Sequence, residues 1–171
     1  SFDSASDESV SSGRVDLEQY FAMNIIYGEQ KATPWPKPLR EPRFRVFPKA
    51  FADAVESFCE FGGHVMLSGA YIGSDLLDDP EKIDFASRVL KYKWRTDYAS
   101  RTGHVYTNNI SLFGDRNDLS FVTDYHPHIY AVENPDGIEP ADESKALTVM
   151  RYGENNVSAG VAYSGENYST V

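Results

Sequence analysis

Two short apolar segments, separated by a proline-rich loop and an amphipathic helix, leave few topologies open for the first half of the chain. The segments span residues 22–27 and 64–68. Between them, apolar side chains recur at spacings of four, four and three, which places them on one face of a helix over residues 48–60. These side chains are Phe47, Phe51, Val55 and Phe58. A pair of glycines ends the helix, so the pattern predicts a βαβ unit with two parallel, buried strands and a right-handed crossover.

The remaining sequence predicts further helices and strands. A short helix is expected over residues 6–12 and a second amphipathic helix over residues 80–92. Beyond these, short apolar segments alternate with Asn, Asp, Gly and Pro, which is typical of strands and turns. The predicted strands cover residues 104–112, 119–123, 129–132, 146–151, 157–163 and 168–171. We therefore predict an α/β fold, with a mostly parallel sheet and an antiparallel C-terminal extension.

Composition excludes several classes of protein. The 171 residues suit one domain, and we expect residues 1–171 to be a single domain of a larger multidomain protein. A formal net charge of −10 disfavours binding to nucleic acid, because a phosphate backbone needs a basic face. No apolar run approaches the ~18 residues of a membrane span. With Cys59 as its single cysteine, the chain has no intrachain disulfide or multi-cysteine zinc site, and we predict no cofactor.

Ser68 is the main candidate nucleophile. It ends the second predicted strand, and the small residues Gly69 and Ala70 after it allow the sharp turn of a nucleophile elbow. Met66, two positions before Ser68, stands where such an elbow needs a small residue. The alternative is that Ser68 and Gly69 form an ordinary tight turn.

Gly28 and Glu29 follow the first predicted strand in the way that Gly69 follows the second. Because the carboxyl ends of parallel strands lie at one edge of a sheet, we expect these residues to face the same crevice as Ser68. Glu29 is either a general base or an exposed loop carboxylate. Gly28 and Gly69 are candidates for contact with a ligand.

The segment after the second strand adds two candidates to this crevice. Tyr71 is a candidate ligand-binding residue. Asp75, beside Ser74, is either a ligand-binding carboxylate or a cap for the backbone amides of the segment that follows it.

His126 and His128 form the densest histidine pair of the sequence. On a strand their spacing places both rings on one face, which a metal site can use. Pro127 interrupts that strand and no third ligand is evident, so we predict no metal site. His126 is the candidate imidazole partner of Ser68 and Glu29.

Residues 91–97 form a basic and aromatic patch in an acidic chain. Trp94 lies in this patch and Tyr98 beside it, both close to acidic side chains. Sugar rings stack on aromatic faces while carboxylates accept hydrogen bonds from their hydroxyl groups, so a carbohydrate-binding surface is one interpretation. Core packing and strand propensity explain such aromatics equally well.

Five segments together carry a family resemblance: residues 27–31, 62–75, 90–97, 130–140 and 151–163. They resemble a domain of secreted multidomain proteins from Bacteroides-type bacteria that carry the label xanthan lyase. That domain is similar to the class I glutamine amidotransferase-like, flavodoxin-like fold. The resemblance implies a three-layer flavodoxin-like sandwich and a secreted or periplasmic location.

The resemblance also assigns roles to residues. In that superfamily a glycine-rich loop supplies oxyanion contacts and a cysteine occupies a later elbow, positions at which this chain has Gly28-Glu29 and Ser68. Cys59 lies on the preceding helix, where it is expected to pack as a small core residue. No histidine follows His128, although the family's catalytic histidine is expected there.

We therefore predict a non-catalytic or degenerate amidotransferase-like domain of a secreted bacterial protein linked to polysaccharide or cell-wall processing. Its expected partners are polysaccharide or neighbouring domains of the same protein. Two alternatives stay open. One is a polysaccharide lyase or hydrolase with a crevice centred on Ser68, and the other is a carbohydrate-binding module that uses Trp94 and Tyr98.

Overall fold

The computed structural model describes residues 2–34, 43–108 and 117–171. The helices and strands in these ranges are α1 (Asp7–Ser11), β1 (Ala22–Gly28), α2 (Lys49–Glu60), β2 (His64–Gly69), α3 (Pro80–Phe85), β3 (Tyr92–Thr96), β4 (His104–Thr107), β5 (Asp118–Ser120), β6 (Gly137–Pro140), β7 (Ala146–Tyr152), β8 (Ser158–Ser164) and β9 (Ser169–Thr170). Single turns of 3-10 helix cover Leu17–Gln19 and Ser74–Leu76, and a π-helical turn, Ala86–Leu90, continues α3. Residues 35–42 of the proline-rich loop and residues 109–112 of a predicted strand lie outside the described residues.

Seven strands form one sheet in the order β1-β2-β9-β8-β7-β4-β5, and β3 and β6 form a separate antiparallel pair. Within the described ranges, β2 pairs in parallel with β1 and β9, whereas the other neighbours in the seven-stranded sheet pair antiparallel. The prediction of a mostly parallel, three-layer flavodoxin-like sandwich is therefore wrong. The protein is a mixed α/β fold built on a curled, mostly antiparallel sheet.

The lengths of the connections explain why the second half of the sheet is antiparallel. A parallel connection needs a crossover of about a dozen residues or more, usually with a helix. Residues 153–157 join β7 to β8, and residues 165–168 join β8 to β9. Both connections are too short for a crossover, so these strands pair as hairpins.

The predicted βαβ unit is confirmed in the first half of the chain. β1 and β2 are parallel, with Ala22 opposite His64 and Ile25 opposite Leu67, and α2 connects them. The apolar face predicted for the helix is fully buried. Phe51 (4% exposed), Val55 (0%) and Phe58 (4%) lie on this face of α2. Phe47 is also buried (0%), but it precedes the helix with a left-handed backbone, φ 52°, so its predicted place on the helix was wrong. Burying each such side chain is worth about 1.5–3 kcal/mol, so this face holds α2 on the sheet.

The described helices cover one face of the β1–β2 part of the sheet. Ile25 and Val65 lie on the covered face and are buried, whereas Ile26 and Met66 lie on the other face and are 72% and 52% exposed. α3 packs against α2, on the same side. The two strands are thus buried on one face instead of two, and the described residues supply no third layer.

The segment between α3 and β6 also differs from its prediction. The helix predicted to residue 92 ends at Leu90, after the π-helical turn, where Lys91 takes a left-handed backbone conformation with φ 68°. β3 and β6 lie where the sequence predicted no strand, and the strand predicted over residues 129–132 is irregular. Tyr92 of β3 and Ile138 of β6 belong to the main hydrophobic core, so this second pair of strands is packed into the body of the domain.

Candidate functional site

The carboxyl ends of β1 and β2 lie side by side. Gly28 lies opposite Gly69, and the Ala70 N–H donates to the Gly28 carbonyl at 2.7 Å. A Cβ atom on Gly69 would lie 2.9 Å from side-chain atoms of Tyr27 and Ile72, so glycine is required there. The two candidate glycines therefore lie side by side as the sequence predicted, and the missing side chain of Gly69 leaves room for Tyr27 and Ile72.

Residues 130–136 cover these strand ends. The Glu133 N–H donates to Glu29 Oε1 at 3.1 Å. The Tyr130 ring lies over Gly28, since a Cβ atom on that glycine would be 3.6 Å from the Tyr130 hydroxyl oxygen. The crevice predicted at the strand ends is thus occupied by the chain itself, and the Glu29 carboxylate helps to hold the covering segment.

Ser68 lies inside β2 rather than at a turn. It is opposite Ile26, on the sheet face that the helices leave uncovered, and its side chain is exposed. Its φ is negative, so the backbone lacks the strain of a nucleophile elbow. Among the described residues, none forms a hydrogen bond with the Ser68 hydroxyl.

Cys59 is the second potential nucleophile, and the structure places it in the core. Its side chain is 1% exposed on α2. Burial raises the pKa of its thiol to about 12, so the reactive thiolate is scarce at neutral pH.

His126 binds its own loop. Its Nδ1 accepts a hydrogen bond from the His128 N–H at 3.2 Å, and the two imidazole rings lie 6.0 Å apart. Over the ranges that the structure describes, no hydrogen bond joins His126 to Ser68 or Glu29, and no group of three His, Cys, Asp or Glu side chains is placed to hold a metal ion. The three candidate catalytic residues are therefore not linked into one site.

Tyr71 is buried, with 6% of its surface exposed. The Lys31 ammonium donates a hydrogen bond to the Tyr71 hydroxyl at 3.1 Å and lies 4.3 Å from the centre of the ring. This hydrogen bond raises the pKa of Lys31. Tyr71 thus anchors the segment that follows β1.

Asp75 binds backbone amides at both ends of the segment between β1 and α2. Its Oδ1 accepts a hydrogen bond from the Ala32 N–H at 2.6 Å, and its Oδ2 accepts one from the Val46 N–H at 2.8 Å. The sequence predicted a ligand-binding residue or a cap of the adjacent segment. Asp75 instead joins two distant parts of the chain, and both of its carboxylate oxygens are engaged.

Asp136 is a buried carboxylate that the sequence did not reveal. The side chain is 5% exposed, and its Oδ2 accepts hydrogen bonds from the Gly73 N–H at 2.8 Å and from the N–H and hydroxyl of Ser74 at 2.6 and 3.0 Å. Its Oδ1 is buried without a hydrogen-bond partner among the residues described. Burial raises the pKa of Asp136 to about 6, although the hydrogen bonds from Ser74 and Gly73 oppose the shift.

The sequence around Asp136 contains a signal for a turn but not for burial. Residues 134–137 read Asn-Pro-Asp-Gly, a typical turn pattern. The Asp136 N–H donates to the Ala70 carbonyl at 2.8 Å, and the Tyr152 hydroxyl donates to the Asp136 carbonyl at 2.7 Å. These long-range bonds hold the turn against the loop after β2, and no local pattern predicts them.

Trp94 and Tyr98 lie on the outer side of the same loop. Trp94 packs on Gly73, since a Cβ atom on that glycine would be 3.0 Å from Trp94 Cδ1. The indole N–H donates to Asp97 Oδ1 at 3.0 Å, and Trp94 stays 36% exposed. Tyr98 is 69% exposed, and its N–H donates to Asn134 Oδ1. We call Trp94, Asp97 and Tyr98 the Trp94 surface, an exposed aromatic patch with a carboxylate that fixes the orientation of the indole.

Comparison of the chain with family models, with curated proteins and with solved structures gives no match. The relationship to amidotransferase-like domains therefore stays a prediction. In the described part of the chain, the helices are too short or too polar to cross a lipid bilayer. The geometry offers surfaces for stacking and hydrogen bonding, and Ser68 has no hydrogen-bonded base among the residues described. Two other serines have such a partner: Ser169 Oγ lies 2.8 Å from His64 Nδ1, and the Ser74 hydroxyl donates to Asp136 Oδ2.

Proposed function

We propose that this chain is a non-catalytic interaction domain. The observation that carries the proposal is that residues 130–136 cover the carboxyl ends of β1 and β2. Strand ends of this kind are where an open α/β sheet commonly binds a ligand. Tyr130 lies over Gly28 there, and the Glu29 carboxylate is bound by the backbone of Glu133. A substrate would have to displace the covering segment to reach the ends of the strands.

The surroundings of Ser68 support the same proposal. A catalytic serine needs a base within hydrogen-bond reach, about 3 Å. Within the described ranges the Ser68 hydroxyl has no such partner, and His126 binds the backbone of His128 instead. The alternative of a hydrolase or lyase centred on Ser68 therefore lacks an activated nucleophile.

We further propose that the domain belongs to a secreted or periplasmic bacterial protein concerned with polysaccharide or the cell wall, with polysaccharide or neighbouring domains as its partners. The cellular context rests on the sequence resemblance. The Trp94 surface supports contact with sugars, because an indole of fixed orientation beside a carboxylate can stack on a sugar ring and accept hydrogen bonds from its hydroxyl groups. Carbohydrate binding by Trp94 and Tyr98 is thus the second candidate function.

Activity assays on the purified chain test the absence of catalysis. With ester, amide and polysaccharide substrates we expect no turnover above the buffer rate, in the unchanged chain and in Ser68→Ala alike. Ser164→Ala is the matched control, since Ser164 is an exposed serine at the end of β8. Turnover by the unchanged chain would refute the proposal, and its loss in Ser68→Ala but not in Ser164→Ala would assign it to Ser68.

Affinity electrophoresis in gels that contain neutral or acidic polysaccharides tests the second candidate function. We expect retardation of the unchanged chain and an affinity about fivefold lower for Trp94→Ala, because stacking on an aromatic ring is worth about 1 kcal/mol. Tyr125→Ala is the matched control, since Tyr125 is a 91% exposed aromatic residue outside the Trp94 surface. Equal mobility of the unchanged chain with and without every polysaccharide would exclude carbohydrate binding and leave the non-catalytic role standing.

A further inference from the structure

A groove of about 620 Å³ runs along β1, which is one edge strand of the seven-stranded sheet. β1 forms one wall, side chains from residues 2–20 form the opposite wall, and Phe51 and Phe58 of α2 also line it. Its volume falls in the range of roughly 300–1,000 Å³ that is usual for ligand sites. We call it the β1 groove, and it is separate from the strand ends and from the Trp94 surface.

The backbone of β1 presents free hydrogen-bonding groups along this edge. The His64 N–H donates to the Phe21 carbonyl, which shows that the backbone of Phe21 faces β2. Because the backbone groups of successive residues in a strand point to opposite edges, those of Ala22, Asn24 and Ile26 point away from β2. Among the residues described, none binds these outward N–H and C=O groups.

β1 also lacks the protections of an edge strand that the sequence and the register of the strand itself can supply, and residues 2–20 line the groove without bonding to its outward backbone groups. Natural sheets protect such edges with lysine, proline, bulges or a covering segment, because unpaired backbone groups recruit another extended chain. Residues 22–27 contain neither proline nor a charged residue, and the register of β1 stays regular as far as Ile26. The edge is therefore suited to β-strand addition, in which main-chain hydrogen bonds give affinity.

The residues that line the β1 groove indicate which kinds of side chain a bound partner would carry. Val10, Phe51 and Phe58 give it apolar walls. Among the described residues, its charged side chains are Asp3 and Asp7, and no lysine or arginine lines it. Charge complementarity and the alternating geometry of a strand thus favour a segment in which apolar residues alternate with basic ones.

We propose that β1 binds an extended segment of another polypeptide, with alternating apolar and basic residues, by adding it as a strand to the free edge of the sheet. The outward backbone groups of Ala22, Asn24 and Ile26 bind its main chain, and Asp3 and Asp7 attract its basic side chains. The inference goes beyond the proposed function, since it concerns a peptide partner on a different surface. Either can fail while the other stands.

A blocked peptide that alternates lysine and valine, with lysine at both ends, is the direct probe, because it presents the same order of side chains in both strand directions. We expect isothermal titration calorimetry to show that it binds the full chain. A peptide with glutamate in place of lysine, and one with N-methylated backbone at alternate residues, should each bind at least tenfold more weakly. No binding of the lysine peptide, or equal binding of all the peptides, would overturn the proposal.

Asn24→Pro tests the position of the site. It removes one outward N–H and leaves the bonds to β2 intact, and proline is tolerated at such edge positions. We expect affinity for the lysine peptide to fall about tenfold, whereas Asn24→Ala, which keeps the N–H, should bind as the unchanged chain does. Equal affinities of the two folded variants would refute the site, and the N-methylated peptide gives the same test if Asn24→Pro does not fold.

A second copy of the chain is the competing occupant of this edge. Sedimentation of the unchanged chain with and without the lysine peptide separates the two cases. We expect a monomer that takes up peptide. A dimer that is abolished by Asn24→Pro and unaffected by the peptide would show edge-to-edge self-association, and the proposal of a basic peptide partner would be wrong.

Discussion

Asp136→Asn tests the physical account of the buried carboxylate. Asparagine has nearly the same shape as aspartate, and its side-chain oxygen can accept the hydrogen bonds that Gly73 and Ser74 donate. The amide cannot ionise at any pH used for a protein. The substitution thus removes the charge while it keeps the contacts of the group.

The expected effect follows from the pKa of Asp136. A value of about 6 lies about two pH units above the ordinary 3.8, and each unit corresponds to about 1.4 kcal/mol, so the folded chain loses about 3 kcal/mol by holding the charge at neutral pH. Between these two pH values the folded chain binds more protons at this site than the unfolded chain does. The stabilisation by the protonated group is therefore complete below about pH 4 and is lost as the pH rises through 6.

Urea unfolding followed by tryptophan fluorescence measures the free energy of unfolding across this pH range. Subtraction of the values for Asp136→Asn from those of the unchanged chain cancels the titrations that both share. Between pH 4 and pH 8, we expect the free energy of unfolding of the unchanged chain to fall by about 3 kcal/mol relative to that of Asp136→Asn. Asp124→Asn is the control, because Asp124 is exposed and is not among the charges that act on Asp136, so its replacement should move the difference by less than about 1 kcal/mol. A difference that stays constant, or that favours the unchanged chain as the pH rises, would refute the reasoning.

Two further substitutions test the packing around the candidate site. Lys82→Met should stabilise the chain by about 1 kcal/mol, measured by urea unfolding. Lys82 is 6% exposed, and its Nζ is buried without a hydrogen-bond partner among the described residues. Burial also lowers the pKa of Lys82, which shows that the charged form is disfavoured there. A loss of stability would show that the buried ammonium has a stabilising role. Gly69→Ala should destabilise the chain by about 1–3 kcal/mol, because the new methyl group would lie 2.9 Å from atoms of Tyr27 and Ile72. An unchanged unfolding midpoint would mean that the strand ends can separate freely.

The βαβ unit could be predicted from the sequence because its signals are local. Phe51, Val55 and Phe58 at helical spacing, followed by a pair of glycines, define α2 and its buried face. A crossover helix between two strands fixes their parallel direction, and the parallel direction brings Gly28 next to Gly69. Each of these steps depends on residues that are close along the chain or joined by one helix.

The prediction of a mostly parallel sheet with an antiparallel C-terminal extension was wrong in the share that it gave to parallel pairing. Among the described strands of the seven-stranded sheet, parallel pairing is confined to the two neighbours of β2. The short connections after β7 already exclude crossovers, and this is a signal that the sequence contains. The alternation of aromatic and basic residues over 92–96 likewise contains a strand signal that the interpretation as a contact patch overlooks. The pairing of β3 with β6 depends on residues about 40 positions apart, for which no local pattern exists.

The covered strand ends and the buried carboxylate could not be predicted for the same physical reason. Glu29 and Glu133 are 104 positions apart, and their hydrogen bond is decided by how the whole sheet folds. Ser68 shows the converse. A serine followed by two small residues favours a turn locally, yet pairing with β1 and β9 keeps β2 extended through Gly69.

β9 lies between β2 and β8, and it thereby joins the βαβ unit to the C-terminal hairpins. Leu67 and Val65 of β2 exchange backbone hydrogen bonds with Val171, next to β9. As the chain leaves the ribosome, β2 emerges about a hundred residues ahead of the strand that completes its second edge. The nascent domain therefore carries a strand with one unpaired edge until residues 169–171 have been released.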